Sequence, residues 1–303
     1  MIKKEQNKMI NYILYNFNME QKIEKKSFPP IPAALLSMLS VQSGASIAKR
    51  LFPTLGASTT SSLRLGLSSI LLFLFNRPKI HLLNKTQWMH CLIYGICMGA
   101  MNLVFYYAIQ RIPLGLGVTV EFLGPLLLAL FFSKRALDLL WVLFAALGIA
   151  LIVPWQNTGV DLLGLLLAFM AGVFWAGYIF FGGKVAQVMN TKDAVTIATG
   201  IAALLVLPFG LFSGGFGFLT SKLFFVSLGV AILSSAIPFS LDLIALKQLP
   251  TRTFSILTSL QPAFGALSGL LFLNEILTFN QWISILCVII ASLGTSLTRN
   301  RMH

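Results

Sequence analysis

Apolar stretches long enough to cross a lipid bilayer recur along almost the whole chain, separated by short polar connectors. A helix needs about 20 mainly apolar residues to span the hydrocarbon core. The chain is therefore predicted to be an all-α polytopic membrane protein with ten transmembrane helices. The predicted spans are 32–48, 57–76, 88–108, 113–132, 137–154, 161–182, 193–212, 223–246, 251–273 and 278–298.

Composition supports this class. Of the 303 residues, 57% are hydrophobic and 10% are charged, whereas soluble domains are about 25% charged. The net charge of +13 could indicate a nucleic-acid-binding protein. Such binding requires basic residues on one folded face, but here they lie in the connectors between apolar runs. We therefore expect no nucleic acid among the partners.

The distribution of lysine and arginine predicts the orientation. With a cytosolic N-terminus, 17 of the 22 basic residues face the cytosol, and Arg64 lies inside a span. This excess predicts that both termini are cytosolic. Residues 1–31 are interpreted as a basic cytosolic tail, which could form a short helix at the membrane surface, and 299–303 as a short cytosolic C-terminus. The other side has only Lys49, Arg50, Arg111 and Lys222.

The two halves of the chain resemble each other at an offset of 137 residues. Segment 107–130 aligns with 244–267, and Pro113 and Pro125 coincide with Pro250 and Pro262. We interpret this as a duplication, with one repeat at 32–154 and a second at 161–298. Five spans per repeat is an odd number, so the second repeat would be inverted in the membrane, as in many alternating-access transporters.

Pro125 and Pro262 fall within predicted spans. Proline lacks an N–H group and kinks a helix, which can expose backbone carbonyls to a cavity. The two prolines are therefore candidate helix kinks near a site, and the alternative is that they are packing kinks without ligand contact.

Two charged residues lie deep within spans, Arg64 in the second and Glu121 in the fourth. An ionised side chain at that depth is costly unless it is paired or hydrated. Both lie on the order of 10 Å below the outer boundary at 1.5 Å per residue, so they could form an ion pair. Either this pair is structural, or it borders a transport pathway in which Arg64 binds a substrate carboxylate or Glu121 exchanges a proton.

Several other buried polar or aromatic residues are candidates for the pathway. Asp242 lies near the inner end of span eight, where it could receive protons or simply sit near Lys247. The polar candidates could bind a small polar solute or only link helices by hydrogen bonds. The remaining candidates are Gln42, Asn102, Trp175, Tyr178 and Gln261.

The motifs of enzymes and metalloproteins are missing from the sequence. It contains no phosphate-binding loop, HExxH sequence or nucleophile elbow. Cys91, Cys97 and Cys287 do not have the CxxC spacing of a metal or disulfide site. We therefore predict a protein that is not an enzyme and has no metal or cofactor. Energy for transport would come from an ion gradient, the solute gradient or a partner.

Long collinear blocks of this chain resemble the drug/metabolite transporter superfamily with two EamA-type repeats, and within it the threonine/homoserine exporters. The resemblance extends over about residues 33–298. It is carried by the blocks 41–57, SLRLGL at 62–67, 94–131, 231–278 and 289–298.

This resemblance implies an exporter of small amino acids in the bacterial inner membrane, exchanging its substrate for protons. Arg64 and Glu121 fall on the arginine and glutamate of the family's second and fourth spans. Gln261 and Asp242 stand where the family has glutamates, so proton coupling through span nine is not expected. The alternatives are a carrier of another metabolite or drug, or a membrane component that does not transport.

Overall fold

The computed structural model describes residues 29–78, 80–131, 161–238 and 257–298, seven residues between 140 and 151, and Leu241. Within these residues all regular secondary structure is helical. Four helices are long and apolar enough to cross a membrane, and four more apolar helices are shorter. The described part of the chain therefore has the architecture of a multi-pass membrane protein.

The helices agree with most of the predicted spans. Most of span 137–154 and parts of 223–246 and 251–273 lie outside the described residues, so the count of ten stays a prediction. The first segment, Pro30–Asn76, is divided at Gly56 into α1 (30–55) and α2 (57–76). The others are α3 (Lys85–Arg111), α4 (Leu114–Glu121), α5 (Leu123–Phe131), α6 (Leu162–Val188), α7 (Thr191–Phe212), α8 (Ser221–Ala231), α9 (Gln261–Leu273) and α10 (Phe279–Thr298).

The chain reverses direction at Gly56. Its φ of 75° and ψ of 161° are accessible to glycine but not to residues with a side chain. In a straight helix, residues 44 and 64 would be about 30 Å apart. Instead, Gly44 packs against Ser234, and Arg64 donates a hydrogen bond to the Ser234 carbonyl. Helices α1 and α2 are therefore separate and lie side by side.

Helix α2 packs antiparallel to α7 through hydroxyl groups. Ser62 Oγ donates to the Val206 carbonyl at 3.0 Å, and Thr59 Oγ1 donates to the Gly210 carbonyl at 3.2 Å. Such bonds link helices in a membrane without exposing polar groups to lipid. The serine and threonine run at 58–62 is therefore a helix-packing surface.

The other main contacts also join the two halves of the chain. Helix α3 packs on α6, α4 packs on α9, and α8 packs on the segment formed by α1 and α2. In the α4–α9 contact a Cβ added at Gly115 would lie 2.6 Å from Ala266 Cα. Ser284 on α10 donates to the Gly148 carbonyl at 2.8 Å. The halves are thus interleaved within one helical body.

Span 113–132 is interrupted between α4 and α5, at Phe122. Pro125 cannot donate the N–H that the Glu121 carbonyl would receive in a regular helix. Gly172 on α6 packs directly against this carbonyl, and Gly124 packs directly against the Gly172 carbonyl. The break after Glu121 therefore lies at the closest crossing of the fourth span and α6.

Replacing Gly172 by alanine is expected to destabilise the protein by about 1–3 kcal/mol, the usual cost of overpacking. The added Cβ would overlap the Glu121 carbonyl, which is backbone and cannot rotate away. Thermal unfolding of the purified protein in detergent measures the effect. Gly183→Ala is the matched control on the same helix, because a Cβ there meets nothing within 4 Å. Equal stability of the two variants would contradict the prediction.

Candidate functional site

The guanidinium of Arg64 lies between α3 and α8. Nη1 donates to the Tyr106 hydroxyl at 3.3 Å, and Nη2 donates to the Ser234 carbonyl at 3.2 Å. The guanidinium carbon lies 5.5 Å from the centre of the Tyr106 ring, within cation–π range. Nε is buried and has no hydrogen-bond partner among the described residues. Arg64 is therefore held in place by Nη1 and Nη2, while Nε has no acceptor within the described part of the chain.

A π turn after α8 explains why backbone carbonyls are available to α1 and α2. In the turn Ile232–Ala236, the Ile237 N–H donates to the Ile232 carbonyl, so the Leu233 carbonyl loses its helical donor. Ser40 Oγ donates to that carbonyl at 2.6 Å. Pro238 has no N–H for the Ser234 carbonyl, which receives Arg64 instead. Such turns are frequent at functional sites.

Glu121 is the last residue of α4 and is 8% exposed. Among the described residues, the ion pairs within 4.0 Å are Lys49–Glu275 and Arg111–Asp161. Arg64 and Glu121 therefore do not form the direct ion pair that the sequence allows. Because Arg64 is already bonded to Tyr106 and Ser234, the two charges can serve separate purposes.

The other predicted pathway residues lie in different surroundings. Gln42 is 3% exposed, and its Oε1 has no partner within the described part of the chain. Asn102 Nδ2 donates to the Met98 carbonyl of its own helix at 2.8 Å. Trp175 packs edge-on against Phe122, with ring centres 5.5 Å apart.

Tyr178 is further from this region and stacks on Tyr94 at 4.8 Å. Gln261 and Pro262 are the first two residues of α9, so Pro262 stands where a missing N–H has little cost. Asp242 lies outside the described residues. The structure thus collects Arg64, Tyr106 and Ser234, and places Trp175 beside the break that follows Glu121.

An ion pair that the sequence analysis missed joins Lys49 and Glu275. Lys49 Nζ lies 2.5 Å from Glu275 Oε1 and donates to the Ile112 carbonyl at 2.7 Å. Glu275 Oε2 accepts the Leu114 N–H at 2.6 Å. These contacts tie the end of α1, the turn before α4 and the connector after α9 together. We call this set the Lys49–Glu275 cluster.

The cluster lies at the end of the bundle that the basic-residue distribution predicts to face away from the cytosol, here called the outer end. The sequence feature that could have predicted the cluster is Glu275, an acidic residue in the connector between the last two spans. This connector lies on the same predicted side of the membrane as Lys49. Asn274 precedes it with a left-handed φ of 55°. This turn places the Glu275 N–H 3.1 Å from the Gly269 carbonyl.

A second ion pair at the outer end joins Arg111 and Asp161 at 2.6 Å. Asp161 precedes α6 and caps it by accepting the Leu163 N–H. The hydrogen bond from Arg111 holds the pKa of the Asp161 carboxyl below its ordinary value, with smaller contributions from backbone N–H groups of α6. With side chains 47% and 34% exposed, this pair contributes little to stability.

Asp161→Asn is expected to lower the melting temperature slightly, because the amide keeps the helix cap but loses the ion pair. Asp161→Ala loses both and is expected to melt lower still. The folded-state pKa is depressed, so the contribution of the carboxylate is present above the unfolded pKa of about 3.9 and is lost as the pH falls through the folded value. Melting curves from neutral to acidic pH test this. A difference between wild type and Asp161→Asn that grows in acid would contradict it.

No group of three or more histidine, cysteine, aspartate or glutamate side chains in the described part of the chain could hold a metal ion. The three cysteines are free. The functional groups at the site are the Arg64 guanidinium, the Glu121 carboxylate and hydroxyl groups. Such groups can bind a charged solute and transfer a proton.

Comparison with known proteins places this chain among transporters. The sequence profile of the EamA-like transporter family matches residues 162–297. The chain is 43% identical over 271 residues to the threonine/homoserine exporter RhtA of Escherichia coli K12, covering 89% of this chain and 92% of that protein. Identity to RhtA of Salmonella typhimurium LT2 is 42% over 274 residues, covering 90% and 92%.

More distant similarities agree. The uncharacterized transporter YwfM of Bacillus subtilis is 22% identical over 245 residues, covering 77% of this chain and 81% of that protein. A solved crystal structure matches with a TM-score of 0.55 at 17% identity, covering 91% of this chain and all of that chain. This likeness shows the fold alone. Together with the high identity to the two exporters, the profile match shows that the chain belongs to the EamA-like transporter family, a family of membrane transporters and not of enzymes.

Proposed function

We propose that this protein is a secondary transporter of the bacterial inner membrane that exports small amino acids of the threonine and homoserine type. It works by alternating access and exchanges its substrate for protons, with both termini in the cytosol. The relatives that are 42–43% identical are named threonine/homoserine exporters. The observation within this chain that carries the proposal is the arrangement of Arg64 and Glu121.

These two residues match the two charges of an amino acid. A substrate carboxylate would bind near Nε of Arg64, which has no acceptor among the described residues, since arginine presents donors in a fixed planar fork that fits a carboxylate. The substrate ammonium or a proton would bind the carboxylate of Glu121, which is buried in α4. Because the two side chains are not bonded to each other, a solute can interact with both.

Competition at Glu121 would couple the two fluxes. A buried carboxylate is costly as an anion and is stabilised by either an ammonium group or a proton. Glu121 binding one or the other, but not both, would make substrate release and proton entry alternate.

The helix contacts support an inverted repeat. When span numbers are shifted by five, the contacts of span two with seven, four with nine and five with ten map onto themselves. The contact of span three with six maps onto that of span eight with one. A two-fold axis in the membrane plane predicts this pattern. The family profile match at 162–297 also nearly coincides with the second predicted repeat.

The Lys49–Glu275 cluster supports alternating access. It joins α1 and the turn before α4, which belong to the first repeat, to the connector after α9, which belongs to the second. Rigid-body rocking of one repeat against the other would have to break these bonds. The cluster is therefore a closed outer gate in the proposal, and it opens when substrate leaves.

Transport by purified protein in proteoliposomes tests the function. Labelled L-threonine and L-homoserine are expected to exchange across the membrane, and an imposed pH gradient is expected to increase the flux. No transport of any small amino acid would overturn the proposal. Flux that does not depend on the pH gradient would overturn only the proton coupling. Transport of another metabolite instead would indicate that the protein is a carrier for a different substrate within the same family.

A further inference from the structure

Two buried side-chain donors, on residues that contact each other, have no partner within the described residues. One is Nε of Arg64 and the other is Oγ of Ser234, which is 3% exposed. The two residues are in contact, because Nη2 of Arg64 donates to the Ser234 carbonyl at 3.2 Å. A buried polar group without a partner costs about 1–3 kcal/mol. Two such groups on residues joined by a hydrogen bond therefore indicate a binding site for a ligand.

The surroundings of these two donors are closely packed. Gly44 on α1 packs directly on Ser234 Oγ, and any larger side chain there would displace the hydroxyl. The π turn and Pro238 hold the Ser234 backbone against Arg64. Tyr106, which is fully buried, holds the other end of the guanidinium. The positions of Nε of Arg64 and Oγ of Ser234 are therefore set by three separate elements.

We propose that Ser234 is a specificity-determining residue that binds the substrate carboxylate together with Arg64. One carboxylate oxygen would accept Nε–H of Arg64 and the other would accept Oγ–H of Ser234. This inference rests on the proposed function and adds to it the residue that selects for a carboxylate. The second half of the chain then supplies an uncharged residue to the binding site.

Ser234 makes the site discriminate between amino acids and analogues that lack the carboxylate. A donor pair aimed at both oxygens gains a charge-assisted bond from a carboxylate, whereas an alcohol in the same place offers one weaker acceptor. L-threonine and L-homoserine are therefore expected to bind well. L-threoninol, which has a hydroxymethyl group in place of the carboxylate, is expected to bind poorly.

The test uses Ser234→Ala in the full-length protein, purified in detergent. Binding of L-threonine, L-homoserine, L-threoninol and a panel of small monocarboxylates is measured by calorimetry. The variant is expected to lose roughly tenfold or more in affinity for the amino acids, the size of a lost bond to a charged group, with little change for L-threoninol. In proteoliposomes its apparent KM rises while the maximal rate is retained.

Ser227→Ala is the matched control. Ser227 Oγ is also buried without a described partner, but it lies on α8 one heptad earlier and makes no hydrogen bond to Arg64 within the described residues. It is expected to bind all ligands like wild type. Size-exclusion chromatography and melting temperature verify that both variants fold.

Three outcomes would overturn the inference. One is wild-type affinity of Ser234→Ala for both L-threonine and L-threoninol, and another is an equal loss for both ligands or in the Ser227→Ala control. The third is that wild-type protein binds none of the carboxylates. Carboxylate binding that depends on Ser234 without amino-acid export would support the subsite and overturn only the proposed function.

Discussion

Glu121→Gln is expected to abolish proton-driven export of L-threonine and L-homoserine while leaving the protein folded. Glutamine has nearly the same shape, so the buried packing at the end of α4 is retained. It cannot hold a negative charge or exchange a proton at any pH. Because a buried anion is replaced by a neutral group, we expect the free energy of unfolding to be unchanged or slightly higher.

Flux in proteoliposomes with and without a pH gradient measures the effect. We expect export to fall by at least about two orders of magnitude, the scale of a lost proton-transfer group, and the remaining flux to be independent of pH. Thr119→Val is the matched control on the same helix, since the Thr119 hydroxyl bonds only to the Gly115 carbonyl within the described part of the chain. Normal pH-dependent export by Glu121→Gln would show that Glu121 is structural.

Breaking the Lys49–Glu275 cluster is expected to destabilise the outer end and to impair coupling. Glu275→Ala leaves the Leu114 N–H without its acceptor and removes the carboxylate from the Lys49 ammonium, which keeps its hydrogen bond to the Ile112 carbonyl. The side chains of Lys49 and Glu275 are only 18% and 15% exposed, so water can replace little of the lost hydrogen bonding. We therefore expect the free energy of unfolding to fall by about 1–3 kcal/mol. With the proposed gate weakened, substrate is expected to leak through the bundle without proton exchange.

A double-mutant cycle with Lys49→Met isolates the pair from other effects of each substitution. Glu275→Gln should be intermediate, because its amide oxygen can still accept the Leu114 N–H. Arg111→Met with Asp161→Asn repeats the cycle on the exposed pair at the same end, where the coupling is expected to be small. A coupling energy no larger than that of the exposed pair would count against a gate at Lys49–Glu275.

The contacts of Arg64 also predict the outcome of exchanging the charges of Arg64 and Glu121. Arg64→Glu combined with Glu121→Arg would restore function if the two residues formed only an ion pair. Instead, a carboxylate at position 64 would face the Ser234 carbonyl, which cannot donate a hydrogen bond. The double variant is therefore not expected to recover either folding or transport.

The sequence predicted the membrane class, most of the helices and the two charged residues inside spans, Arg64 and Glu121. These follow from local rules, because about 20 consecutive apolar residues can satisfy their backbone in lipid only as a helix. The reversal at Gly56 was also visible, as a gap between two predicted spans. Pro125 and Pro262 marked possible kinks whose carbonyls could face a cavity, but the sequence did not predict that Pro238 leaves the Ser234 carbonyl for Arg64.

The partners of the buried groups could not be predicted, because they come from helices distant in sequence. Arg64 has carbonyl and hydroxyl partners on α3 and the turn after α8 rather than the Glu121 carboxylate. The Lys49–Glu275 cluster joins residues 226 positions apart. Ser234 is one of many buried serines, and the π turn is what places it against Arg64.

By itself, the sequence determined that this is a membrane protein of apolar helices with a cation and a carboxylate inside it, since hydropathy and charge are properties of single residues and short segments. Only the tertiary structure decided that these two charges are not bonded to each other, that Ser234 lies beside Arg64, and that Lys49 meets Glu275. Those relations depend on how helices cross, at glycines and kinks where backbones approach within van der Waals contact, and no local pattern specifies such crossings.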